Sequence, residues 1–492
     1  MPKKRHYKAQ SRSITKYIYS FVFISATLIG LAYLYSQKYH TEPVAINYVG
    51  KQPTLPSPIV NVKSSIAESK MYFNDDTGRM NAEVTPWSLG TKATGGWYTY
   101  LISTFQSYMC STPNNIFSLT TEEKLVNRGC KLRTSPDISS YSPNKFMPLW
   151  KRDYVGVFSA HLIPTSNNAA TLYSINHNES FNNADAHVFN SSIPTCLAAD
   201  DMGYGKLPCT PNYWWGSYNA WITMSSMPWN YQNLTSATLF SDHGPITWPS
   251  NGYIESLDGN ATWIKATDGG VRHPSSIVKD NYLYVFYEDM SQGSEPAGRG
   301  PGIKVIRAEI TTSGISPNSF KAYYNGEFVD NALPPNFNLD TYYRSISRKG
   351  PRASSLFPEL NKTAPQPTLG TKRSGPRTIG DVVSFQVAKI NNSPYYLGIA
   401  HELSRGVTLR LSTDLVNWSN SSIVPGTESN WWSGGVDLQQ LPFLYPRLAN
   451  KNGDSNTIID ADEFYILGTQ TKNHNGVEAK IVNTMRLSVQ TP

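Results

Sequence analysis

The chain is short of charge. Lys, Arg, Asp and Glu make up 16% of its 492 residues, where soluble globular chains usually carry roughly 25%. That deficit excludes a coiled coil, a charge-laced helical bundle and a highly charged disordered chain. Cysteine is sparse too. There are four, with no C-x-x-C pair, which argues against a zinc ribbon or a thioredoxin-like redox centre. No G-x-S-x-G elbow, Walker A loop, H-E-x-x-H or Rossmann fingerprint occurs. A catalytic serine on an elbow and a nucleotide cofactor are therefore unsupported. Long apolar runs are absent with one exception, near the N-terminus.

What the chain has instead is aromatic and turn-forming residues. It holds 30 Tyr, 18 Phe and 12 Trp, with 34 Gly and 33 Pro. From about residue 70 onward, short β-branched and aromatic runs alternate with Gly, Pro, Asn, Asp and Ser, which reads as strands and turns. YVGVFSAHLI (154–163), TLYSINHNES (171–180), YLYVFYED (282–289), VVSFQVAKI (382–390), YYLGIAHE (395–402) and EFYILGTQ (463–470) are the clearest. Several repeat one plan: an entering strand, a short turn, then an aromatic strand ending in polar residues. Such repetition predicts an all-β fold of radially packed four-stranded units, a β-propeller, with a β-sandwich as the competing architecture.

The formal charge of +7 is mostly a tail. Residues 1–16 contain six Lys or Arg and no acid, so the remainder carries +1. Nucleic acid is therefore not an expected partner. Residues 17–37 then run 21 positions without a charge, with tyrosines at both ends, long enough for one transmembrane helix. The basic tail is expected in the cytoplasm and the rest of the chain outside. A bacterial periplasm is the preferred compartment, with a Golgi-type lumen as the alternative. Residues 38–68 read as a Pro-containing stem, and 69–492 as the propeller, with a long insertion near 320–380. An oxidising compartment suits disulfides. Cys110 with Cys130, and Cys196 with Cys209, is the simplest of three connectivities.

LRLSTDLVNWS (409–419) carries the most specific pattern. Its Ser412, Asp414, Leu415 and Trp418 resemble a blade-closing motif of five-bladed propeller glycosidases, with glycoside hydrolase family 43 and its sucrose-acting relatives nearest. The resemblance spans roughly residues 145–490 and implies a five-bladed β-propeller. In that family the motif is structural: Asp caps a turn and Trp packs between sheets. The family also implies three carboxylates at the central funnel, acting as general base, general acid and pKa modulator. Physically, one carboxyl must stay protonated while another activates water. This chain departs from the family at one strand entry, which reads Asp268-Gly269-Gly270-Val271-Arg272-His273-Pro274, with His where the family has Asp.

The candidates follow from strand ends. Glu402 and Glu179 are the expected acid/base pair, each next to or near a histidine (His401, His177), with Asp268 or Asp381 tuning them. His161, His177, Arg272, His273, His401, Arg447, Trp248 and Tyr287 are the expected substrate-binding set. Glu288 and Asp289 also end a strand, but are expected to face solvent. The expected partner is a polysaccharide, acted on by a glycoside hydrolase or held by a non-catalytic glycan-binding propeller. No cofactor is expected, with a structural ion such as calcium left open.

Overall fold

The computed structural model describes residues 55–73, 87–90, 98–103, 107–112, 115, 117, 123–124, 130–134, 154–165, 170–181, 195–196, 207–208, 218–229, 239–247, 269–289, 300–330, 352–364, 377–429, 441–474 and 477–492. Five antiparallel strand groups dominate them, the second and third joined into one nine-stranded sheet by a short parallel pair, Asn219–Ala220 with Gly269–Gly270. Blade 1 comprises Trp87–Gly90, Tyr98–Ser103, Ser107–Thr112 and Lys131–Thr134. Blade 2 comprises Tyr154–Pro164, Ala170–Phe181, Tyr218–Trp229 and Ser241–Pro245. Blade 3 comprises Gly269–Lys279, Tyr282–Asp289, Gly302–Glu309 and Lys321–Tyr324, plus a fifth strand, Glu327–Asp330. Blade 4 comprises Val382–Ile390, Tyr396–Glu402, Gly406–Ser412 and Ser422–Glu428. Blade 5 comprises Leu444–Asn450, Phe464–His474 and Val477–Gln490, and its outer position is filled by Ile59–Val62 and Ala67–Phe73.

Five buried apolar cores prove the circular order, because each lies between two adjacent blades. Trp87, Leu101 and Met109 meet Val157, Leu172 and Met227 between blades 1 and 2. Ile175, Ile222 and Met224 meet Val271, Leu283 and Val285 between blades 2 and 3. Phe286 and Val305 meet Phe385 and Val387 between blades 3 and 4. Ile399 and Leu409 meet Phe443, Leu448 and Phe464 between blades 4 and 5. Tyr100, Ile102 and Cys110 meet Ala449, Leu467 and Val482 between blades 5 and 1, which closes the ring. A sandwich would have a single core between two sheets. The fold is a five-bladed β-propeller, as the repeat and the resemblance led us to expect.

Polar struts reinforce the last two joints. Gln386 Nε2 of blade 4 donates to Asn456 O (2.6 Å), and its Oε1 accepts from Leu448 N of blade 5 (2.8 Å). Asn456 Nδ2 donates to Leu448 O (2.7 Å), and its Oδ1 accepts from Ser88 N of blade 1 (2.6 Å). Asn456→Ala orphans two buried backbone groups and is expected to cost about 2–4 kcal/mol, read as a lower urea midpoint at unchanged m-value.

The blade-closing motif behaves as the resemblance implies. Asp414 Oδ1 accepts from Val416 N (3.0 Å) and Asn417 N (2.8 Å), capping the turn. Trp418 packs edge-on against Phe385, with ring centroids 4.9 Å apart. One expected disulfide is present, Cys110–Cys130. The pairing of Cys196 with Cys209 lies outside the described residues.

Two expected boundaries shift. Ile59–Val62, placed in the stem by its prolines, pairs with Leu487–Gln490 as a blade strand. Part of the expected insertion, Lys321–Tyr324 and Glu327–Asp330, forms the outer hairpin of blade 3. The expected span at 17–37 lies outside the described residues, among which no helix is long and apolar enough to cross a membrane.

Candidate functional site

The site begins with one irregularity repeated five times. In every blade the first strand slips register against the second, close to its own start in blades 2 to 5. The slips fall at Ser88/Gly90, Val157/Ser159, Arg272/Ser275, Val382/Ser384 and Leu444/Arg447. A bulge bends its strand and re-aims the extra residue. The bulge residues of blades 2 to 5 meet one another, while Leu89 of blade 1 packs against the core between blades 1 and 2. His273 of blade 3 lies 4.3 Å from Tyr445 of blade 5 and 6.2 Å from Phe158 of blade 2, between ring centroids. His273 Nδ1 also reaches Val383 O of blade 4 (2.7 Å). The bulge residues therefore form a collar about the axis.

Two of them are strained. His273 (φ 49°) and Tyr445 (φ 49°) occupy the left-handed region, and both precede proline. A pre-proline residue favours extended backbone, and a bulky non-glycine residue at positive φ costs roughly 1–3 kcal/mol. The same uncommon geometry occurs in two blades with the rings in contact, and backbone strain of this kind clusters at active sites and ligand clamps. A glycine makes the entry of blade 3 work. Gly270 (φ 78°) passes so close to Ala220 of blade 2 that a Cβ there would lie 2.2 Å from its carbonyl oxygen.

Charge gathers on the collar. Arg272 Nε and Nη2 fork onto Glu288 Oε2 (2.7 Å) and Oε1 (3.0 Å). His273 Nδ1 donates to the same Glu288 Oε2 (2.9 Å) and to Val383 O. Burial pushes the Glu288 carboxyl upward in pKa, but the Arg272 charge and the His273 contact outweigh it and hold it below the usual range. Burial, aided by Arg272, lowers His273 to about 4 against the pull of Glu288. The neutral ring then carries its proton on Nδ1, since both partners of that atom are acceptors. Buried His177 lies 5.5 Å from His273 and 5.2 Å from Phe158, between ring centroids. Arg447 lies over Trp87 (5.3 Å) and Phe158 (5.6 Å), joining blades 5, 1 and 2.

Further along the axis, His161 Nε2 meets Ser276 Oγ (2.8 Å), which meets Ser159 Oγ (2.6 Å). Burial lowers His161 to about 4. Trp87 stands edge-on to that ring at 5.9 Å. The bulge in blade 2 frees backbone groups, and blade 1 hydroxyls satisfy them: Ser107 Oγ accepts from Val157 N (2.7 Å), and Thr134 Oγ1 donates to Val155 O (2.7 Å).

The other sequence candidates are distributed differently. Glu402 is fully buried in blade 4, where its backbone pairs with Val382 at the bulge. Its oxygens accept from Thr408 Oγ1 (2.8 Å), Arg410 Nη2 (3.0 Å) and Arg405 Nη1 (3.3 Å). His401 is sealed beside it, lowered to about 4 by burial against the opposing pull of Glu402. Asp381 is buried at the start of the same blade and accepts from Ser404 Oγ. Tyr287 is a core residue between blades 2 and 3, its hydroxyl accepting from Thr247 (3.3 Å). Its position gives it no surface to offer a ligand. Glu179 pairs with Tyr154 and Ala220 through the backbone of blade 2. The Glu179 side chain, Asp268 and Trp248 lie outside the described residues.

The expectation of solvent for Glu288 and Asp289 is overturned: both are buried. Their strand stays paired on both edges to its last residue, and Arg272 with His273 supplies partners for the Glu288 carboxylate. The residues Val271-Arg272-His273 opposite that strand end were the available signal. Among the described residues, no three His, Cys, Asp or Glu side chains converge in a metal-holding arrangement.

No family model matches the chain, and no curated protein matches it. Solved structures do. The chain is similar to the catalytic domain of a family 62 α-L-arabinofuranosidase of Coprinopsis cinerea, at 10% identity over 88% of this chain and 98% of that one, with a TM-score of 0.38. It is similar to the α-L-arabinofuranosidase of Podospora anserina solved with cellotriose, at 8% identity over 88% and 98%, TM-score 0.40. A family 117 glycoside hydrolase of the marine bacterium Zobellia galactanivorans gives 10% identity over 88% and 91%, TM-score 0.37. Identities and scores this low decide nothing about activity, and the blade assignment stands on the chain's own five strand groups and five cores.

Proposed function

We propose that the protein is a carbohydrate-active hydrolase that engages a polysaccharide at the collar end of the propeller axis. The observation that carries this reading is the collar itself. The bulges of blades 2 to 5 bring Arg272, His273, Glu288, His177 and Arg447 together beside the aromatic faces of Phe158, Tyr445 and Trp87. Sugars present hydroxyls to polar groups and C–H faces to rings, and this combination suits both.

Glu179 is our candidate for the general acid, with Asp268 as its partner carboxylate. Glu402 is left out of that role because Thr408, Arg410 and Arg405 occupy its oxygens. The basic tail and the uncharged run at 17–37 support a single-pass anchor with the propeller outside the cytoplasm. A second reading, a glycan-binding propeller without turnover, is favoured by one observation: His273 stands where family 43 has its Asp before proline.

A hydrolysis screen on envelope and environmental polysaccharides tests both. We expect turnover that Glu179→Gln lowers about 100-fold or more, whereas Glu402→Gln lowers thermal stability with turnover per folded molecule retained. Turnover that survives Glu179→Gln overturns the assignment of roles. Binding without turnover selects the second reading.

A further inference from the structure

His273 differs from His161 and His401 in what its free nitrogen meets. In His161 the Nε2 atom is bonded to Ser276 Oγ (2.8 Å). In His401 the Nδ1 atom is sealed without a partner. In His273 the Nδ1 proton is shared between Glu288 Oε2 (2.9 Å) and Val383 O (2.7 Å). The lone pair must then sit on Nε2. Among the described residues Nε2 has no hydrogen-bond partner. It is not among the sealed polar atoms, and the residue keeps 5% of its surface. The ring cannot swing to satisfy it, because Tyr445, Phe158 and His177 brace its faces and edges.

We propose that His273 Nε2 is a fixed acceptor that reads one hydroxyl of the bound saccharide, with Glu288, Val383 O and Tyr445 as its positioning groups. The inference rests on the carbohydrate reading above and narrows it. A lone pair facing the site demands a donor. A sugar hydroxyl donates, whereas a carboxylate, sulfate or phosphate oxygen is acceptor-only at neutral pH and would meet it lone pair to lone pair. The group read here is therefore a neutral hydroxyl, even though Arg272 and Arg447 stand nearby. A site built to hold a hydroxyl rejects the analogue lacking it, because the protein acceptor is left unpaired. The backbone strain at His273 and Tyr445 is consistent with this role, since it fixes the direction of the ring.

The test uses the full chain in mild detergent and the saccharide that the screen identifies, with its monodeoxy analogues. In the wild type, one analogue should bind tenfold or more weakly than the parent sugar. In His273→Phe, which keeps a ring and removes the lone pair, the same analogue should bind no worse than the parent. Tyr445→Ala should weaken the parent sugar while leaving the other deoxy analogues in their wild-type order. If His273→Phe does not fold, ¹⁵N imidazole spectra of the wild type supply the readout: the Nε2 resonance of His273 should move on addition of the parent sugar and stay with the discriminated analogue. Equal losses in wild type and His273→Phe, or an unmoved resonance with bound sugar, overturn this inference and leave the carbohydrate reading intact. Failure of every saccharide to bind overturns both. A shift caused by a divalent cation alone would assign the lone pair to a metal and overturn the proposal.

Discussion

Lowering the pH from 7 to 4 should unfold the propeller. His161, His273 and His401 are held neutral by burial, each lowered from an ordinary value of 6.5 to about 4. In the unfolded chain these rings titrate near 6.5, so between 6.5 and 4 the unfolded state binds more protons than the folded one. Stability then falls as pH falls. It is complete above about 6.5 and fully lost to this effect below about 4. Each ring accounts for about 3 kcal/mol at the acid end, and three together approach the whole stability of a typical domain, about 5–15 kcal/mol. Glu288 acts in the same direction at lower pH: its carboxyl is held below the usual range, so the stability it contributes disappears as it is protonated. Urea midpoints at pH 7.5, 6, 5 and 4.5 check this. Near pH 5 the dependence should approach about 4 kcal/mol per pH unit, three protons' worth. His401→Asn should remove one of the three. A flat profile from 7.5 to 4.5 would show that the rings are charged or solvated in the folded state.

The second large effect concerns where the ring is latched. Ile59–Val62 pairs with Leu487–Gln490 along the outer edge of blade 5. Lys63 N donates to Arg486 O (2.8 Å), and Ser422 Oγ of blade 4 donates to Pro58 O (2.5 Å). Ala67–Phe73 continues the same position against Lys480–Thr484. The last blade is thus completed by chain from the far end of the sequence, and removing it leaves an open sheet edge. At about 1 kcal/mol net per hydrogen bond, plus the apolar cover over Leu487 and Val489, a chain beginning at residue 65 should lose about 4 kcal/mol relative to one beginning at 55. A chain beginning at 75 exposes the whole edge of Val477–Gln490 and should aggregate on expression. Equal thermal midpoints for starts at 55 and 75 would mean that the latch contributes nothing.

How much of this was legible in the sequence depends on what each feature is made of. Strands such as Tyr282–Asp289 and Tyr396–Glu402 announce themselves through runs of aromatic and β-branched residues between turn signals. The S-x-D-L-x-x-W turn is legible because its turn hydrogen bonds are local, from Ser412 to Trp418. Ile59–Val62 was hidden: four residues after a run of prolines look like a stem, and their partner lies about 430 positions away. The bulges were hidden as well, since a bulge is a relation between two strands and leaves no mark in either alone. That is why Arg272 and His273 were legible as candidates while Glu288, the carboxylate that binds both, was expected in solvent. The recurrence of His with Glu at two strand ends does not fix one role, since at His401 and Glu402 it marks a buried ion pair with Arg410.

The central claim is that the collar around His273 is where carbohydrate is held. Calorimetric titration of the screened oligosaccharide into the wild type, His273→Phe and Lys321→Ala tests it most directly. Lys321 lies on the outer hairpin of blade 3, half exposed and paired with Asp330. Wild type and Lys321→Ala should bind with equal affinity, and His273→Phe should bind at least tenfold more weakly at matched thermal stability. Equal affinity for all three proteins would contradict it.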